Sequence, residues 1–170
     1  MNSTFRKALC LVVALVVVVV VVQPFWGNAS AHSNGKNSLV GTWRVKVTPK
    51  NCQTGAPGPG FDVLLSFKRS GTVTEMNSSP AFLAGQRAPG LGAWSHIHGN
   101  SYKAVVDAFI LVDSPIFKRG VQRLAWDLNV DGDDATIEAT SQFLDSNGNL
   151  VAATCASATA TRMEASQDED

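Results

Sequence analysis

The chain is poor in charge and in recognisable catalytic signatures. Only 16% of its 170 residues are charged, 14 basic against 14 acidic, so it carries no net charge. A balance of that kind leaves no basic face for a phosphate backbone and argues against nucleic acid as a partner. No Gly-x-Ser-x-Gly, no phosphate-cradling glycine loop and no His-Glu-x-x-His is present, which removes the familiar hydrolase, nucleotide-binding and zinc-protease signatures. Three cysteines are too few for a cysteine-based metal cluster once one of them is lost with a leader. From Leu39 onward the 3.6-residue apolar period of a helix is also missing.

What is present begins with a leader. Arg6 and Lys7 precede an apolar run from Ala8 to Val22, and Ala29-Ser30-Ala31 forms a small-x-small exit, with Gly27-Asn28-Ala29 as an alternative. That order defines a signal peptide over residues 1–31. The apolar run falls short of the roughly 20 residues that span a bilayer, and no later run is long enough, so no membrane partner is expected after cleavage. Cys10 leaves with the leader. The remaining 139 residues keep 12 basic and 14 acidic side chains, a net charge of −2. They read as a lead-in at 32–38, one domain at 39–163 and an acidic tail at 164–170. The expected location is secreted or periplasmic.

Cys52 and Cys155 then remain. In oxidising surroundings an even count suggests a disulfide, and only one intramolecular pairing exists. It closes a loop of 103 residues, worth about 4–5 kcal/mol in the chain-entropy account. It also ties the end of the first strand to the last strand.

Apolar residues alternate in Leu39–Thr48, Phe61–Lys68, Val73–Met76, Leu91–His98, Tyr102–Val112, Val121–Val130, Ala135–Leu144 and Leu150–Met163. A period of two is the mark of a half-buried strand. Turn-forming clusters separate the runs, and residues 77–90 form the longest irregular piece. The expectation is all-β: an eight-stranded antiparallel up-and-down β-barrel. A two-sheet sandwich gives similar spacing, but it needs long crossovers that are missing here. The fifth strand is apolar on both faces, with Val105, Phe109 and Leu111 on the second. A covering loop or a homo-oligomer contact is expected there.

Gly41-Thr-Trp43 at the head of the first strand resembles the Gly-x-Trp motif of the calycins, the group of lipocalins, avidins and fatty-acid-binding proteins. Arg162, in the last strand, stands where the group places an arginine across that tryptophan. The resemblance implies that Trp43 and Arg162 close the barrel, a guanidinium over an indole face. Lipocalins carry a helix after the barrel and this sequence shows none, so a bare avidin-like or nitrobindin-like barrel fits better. No biotin-binding or haem-binding set is recognisable, and no cofactor is expected. Residues 78–96 also resemble uncharacterised secreted bacterial proteins.

A barrel of this size has a filled interior or holds one small ligand. The first expectation is a binding protein for a small apolar or amphipathic molecule, with Trp94, His96 and Tyr102 on the wall and Arg87 at the mouth. A lumen of about 300 Å3 or more favours that reading. The second is a small cyclase or isomerase using a lumen His96 or Asp107, which requires a buried ionisable group with a shifted pKa. The third is a structural or oligomeric protein with a filled interior. His96 and His98 share a strand face, but no third ligand is spaced to join them, so no metal is expected. Asp131, Asp133 and Asp134 read as a hairpin turn rather than a calcium loop.

Overall fold

The computed structural model describes residues 38–164. The expected leader at 1–31, the lead-in up to residue 37 and the acidic tail beyond Glu164 lie outside the described residues. Eight strands follow in order: β1 (Gly41–Lys50), β2 (Phe61–Phe67), β3 (Thr72–Asn77), β4 (Gly90–His98), β5 (Ser101–Ile110), β6 (Gly120–Asp131), β7 (Asp134–Asp145) and β8 (Leu150–Arg162). Each strand pairs with its sequence neighbour, and β1 pairs with β8, so the sheet closes as an antiparallel up-and-down barrel. Every strand expected from the alternation is present, with ends displaced by no more than two residues.

Alternation sets the inside and the outside. In β6, Gln122, Leu124, Trp126, Leu128 and Val130 are buried while the residues between them are exposed. The same parity buries Tyr102, Ala104, Val106, Ala108 and Ile110 on β5. A one-residue slip would invert every strand, so this pattern fixes the register. The opposite face of β5 differs from expectation in one respect. Val105 and Phe109 are 48% and 65% exposed, and no described element covers them. The long 78–89 loop instead runs along the edge of β5, where the amide of Ala88 donates to Phe109 and that of Leu111 to Gln86.

Connectivity gives the barrel two unlike ends. The short turns β2–β3, β4–β5 and β6–β7 lie at one end with the start of β1 and the finish of β8. There Trp43 and Arg162 face each other across the β1–β8 seam. The guanidinium carbon sits 4.2 Å from the indole centroid. Its nitrogens donate to the carbonyls of Val40 and Ser38, at 2.6 Å each, and to Asp133 at 2.9 Å. Gly41 has a φ of +141°, and a Cβ there would lie 2.7 Å from the arginine's Nη1. The glycine two residues before the tryptophan is therefore required by both backbone and space. The long loops, residues 51–60, 78–89 and 111–119, gather at the other end. The Cys52–Cys155 disulfide is formed there and pins the first of them to β8.

Candidate functional site

The interior is packed at the Trp43 end and open at the loop end. Trp94 plugs the closed half. Its ring meets Phe67 edge-on at 6.1 Å and Tyr102 at 5.7 Å, and its Nε1 donates to the carbonyl of Lys68. Above this plug lies a cavity of about 200 Å3. Its walls include Val47, Phe61, Val63, Leu124, Trp126 and Ile137.

The space exists because of what β8 lacks. Its residues on the cavity side, Thr154, Ala156 and Ala158, are small, and β7 adds Ala139 and Ser141 opposite them. No large side chain reaches in from β8. The cavity's roof is aromatic. Phe82 from the 78–89 loop stacks on Phe117 at 4.6 Å, and Phe117 stacks on Phe143 of β7 at 4.6 Å. Three elements thus contribute one ring each to the mouth.

A buried polar cluster interrupts the apolar wall, which also carries Asn77, Ser79, Thr140 and Thr154. Glu75 of β3 and Gln122 of β6 both line the cavity. Arg87, from the 78–89 loop, reaches in behind them. Its Nη2 lies 2.8 Å from Glu75 Oε2, with side chains 4% and 1% exposed. Its Nε donates to Gln122 Oε1 at 2.5 Å, and Gln122 Nε2 donates to Ser141 Oγ at 2.9 Å. Burial pushes the Glu75 carboxyl above its ordinary value, while Arg87, Asn77 and the Gly90 amide pull it back part of the way. Gly90 makes the close approach possible, since a Cβ there would lie 2.7 Å from Glu75 Oε2 and 2.5 Å from Val106.

None of the four residues expected at the wall or mouth lines this cavity. Trp94 and Tyr102 belong to the plug below it. His96 is exposed, with Nε2 against the Gly99 carbonyl at 2.7 Å. The physical reason is topological: the β4–β5 hairpin turns at the closed end, so its last residues cannot reach the mouth. Arg87 stands behind the cavity wall, as a buried partner of Glu75 and Gln122 rather than an exposed group at the rim. Asp107 faces outward and pairs with Arg123 at 2.7 Å, so it is no lumen acid. Glu75, Gln122 and Ser141 went unremarked in the sequence. The signal for all three was a polar residue at an inward parity of an otherwise apolar strand. His98 is likewise exposed, and Asp133 is held by Arg162.

No protein-family model and no curated protein sequence matches the chain. Among solved structures, it is similar to the crystal structure of Rv2717c from M. tuberculosis at 13% identity. That match covers 74% of this chain and 93% of the other, with a TM-score of 0.37.

Proposed function

We propose that the barrel is an exported, calycin-like carrier or sensor that holds one small, largely apolar molecule in the cavity at its loop end. The observation that carries this reading is the unfilled, apolar volume above a fully packed plug. At about 200 Å3 it falls short of the roughly 300 Å3 expected of a binding lumen, the lower bound of drug-sized pockets. It is larger than the engineered apolar cavity of about 150 Å3 that takes up benzene. The ligand is therefore a single ring with a short substituent, or an aliphatic molecule of similar bulk. Removing its surface from water supplies the affinity, at about 25 cal/mol per Å2. Exposed Leu83, Ile116, Leu150 and Val151 around the loop end give such a molecule an apolar approach. The disulfide is compatible with export, and the Trp43–Arg162 lock with a calycin-like closure. The bare outer face of β5, with Val105 and Phe109, is the surface we assign to any homo-oligomer.

Native mass spectrometry of protein purified from its source tests this directly. A retained mass below about 200 Da, lost on unfolding, is the expected result. Bare protein that also fails to take up benzene-sized apolar compounds would end the carrier reading.

A second reading has one observation of its own. Glu75 is a buried carboxyl on the cavity wall with a raised pKa, the kind of group that moves protons in isomerase or cyclase chemistry. Turnover of a bound ligand that disappears in Glu75→Gln would favour it over simple carriage.

A further inference from the structure

We infer that Ser141 is the cavity's hydrogen-bond donor, and that the preferred ligand is a neutral molecule with a carbonyl oxygen on an apolar frame. The inference rests on the lumen-binding reading and deepens it by naming the ligand's polar group.

The polarity of the cluster is fixed from one end. Arginine has donors and no acceptor, so Arg87 Nε compels Gln122 to present its carbonyl oxygen. The amide nitrogen of Gln122 then faces Ser141 Oγ and must donate to it. The serine oxygen is thereby an acceptor, and its single proton is left for another partner. Among the described residues no acceptor takes it. Ser141 is only 7% exposed, yet it lines the cavity, so the proton is available to a molecule held there. A buried donor without an acceptor is costly, and a ligand oxygen relieves that cost.

The same cluster selects against other classes. Glu75 borders the cavity and repels an anionic headgroup. Its charge is met by the Arg87 guanidinium 2.8 Å away, which leaves the Ser141 hydroxyl as the neutral donor that the cluster offers to a ligand oxygen. The volume limits the frame to about one ring. A ketone, aldehyde, ester or lactone of that size meets all three conditions.

Acetophenone and ethylbenzene share a frame and differ in one C=O against one CH2. Their dissociation constants, measured by titration calorimetry or NMR, are to be compared in the wild-type protein, Ser141→Ala and Ser141→Thr. The expected result is that the ethylbenzene-to-acetophenone ratio of Kd falls roughly three- to tenfold in Ser141→Ala, the worth of one neutral hydrogen bond. Ser141→Thr, which keeps the hydroxyl, restores it. The carbonyl carbon resonance of bound acetophenone moves toward its unbonded position in Ser141→Ala alone. If both compounds bind and the ratio is unchanged in Ser141→Ala, the assignment of Ser141 is overturned while the carrier reading stands. If neither compound binds at millimolar concentration, the carrier reading falls and this inference falls with it.

Discussion

At the closed end of the barrel Trp43, Phe67, Trp94 and Tyr102 are buried against one another. At the open end the matching positions on β8 hold Thr154, Ala156 and Ala158. Each end also has one arginine that enters the structure from a terminus or a loop. Arg162 satisfies its donors on three backbone carbonyls and an exposed acid, and covers an indole. Arg87 is buried against a carboxylate, a side-chain amide and the carbonyl of Ala88. The first arrangement joins terminal segments that any barrel must join. The second maintains a charged pair inside an apolar shell, an expensive device that stability alone does not require. That contrast is what favours the loop end in the proposed reading.

The contrast is broken most severely by removing the Cys52–Cys155 bridge. The double substitution Cys52→Ser/Cys155→Ser is expected to lower unfolding free energy by about 4–5 kcal/mol in the chain-entropy account, read from urea denaturation. Because Cys155 lines the cavity and Cys52 holds the 51–60 loop, ligand affinity should fall as well. Closed-end packing around Trp43 should persist in the folded fraction.

Next come the two arginines. Arg87→Ala leaves Glu75 buried without its cation, a loss of about 3–5 kcal/mol, and it should abolish ligand uptake. Arg162→Ala loses a cation–π contact and charge-assisted bonds, part of them solvent-screened, for about 2 kcal/mol. It should leave ligand affinity untouched in the folded protein. Denaturation midpoints and calorimetric titration of both variants check the pair. Equal effects on binding would erase the distinction between the ends.

These two arginines were unequally legible in the sequence. Arg162 was legible through the resemblance of Gly41-Thr-Trp43 to the calycin motif, which implies an arginine in the last strand across that tryptophan. The pairing of Cys52 with Cys155 was legible from the cysteine count. Arg87 sits in an irregular loop, where no period says which way a side chain points, and only the docking of that loop along β5 turns it inward. The placement of Trp94, His96 and Tyr102 toward the closed end follows from connectivity. In an up-and-down barrel, alternate connections lie at the same end, so the β4–β5 turn had to share an end with Trp43. The cavity itself was also written in β8, where every second residue from Ala152 to Ala160 is small. Reading such a run as a strand captures its pairing and misses its missing volume.

Filling that volume sharpens the comparison with a smaller change. Ala158→Leu places three extra carbons in the cavity, where unoccupied space absorbs them without the strain of a packed core. Stability should rise by about 1 kcal/mol or remain level, while binding of benzene-sized compounds disappears. The same enlargement at Ala104, in the packed half, should destabilise by about 1–3 kcal/mol.

The smallest effect is the dependence on pH, and it again separates the ends. Glu75 has a folded-state pKa raised above its ordinary value of 4.5, chiefly by burial. Between pH 4.5 and that raised value the folded protein therefore holds a proton that the unfolded chain has already released. Glu75's contribution to stability is fully present below pH 4.5 and is lost as pH rises through the folded-state value. Asp145, half-buried at the end of β7 and held below its ordinary 3.8 by Asn149, has the opposite sign: its contribution is lost as pH falls below 3.8. The two windows do not overlap, so a decline in denaturation midpoint on raising the pH above 4.5 is assigned to the carboxyl behind the cavity. In Glu75→Gln that decline should vanish while the loss on acidification below 3.8 remains. A slope retained in Glu75→Gln would mean that the buried pair does not set the protein's response in this range, and the charge at the open end would lose its claim to a role.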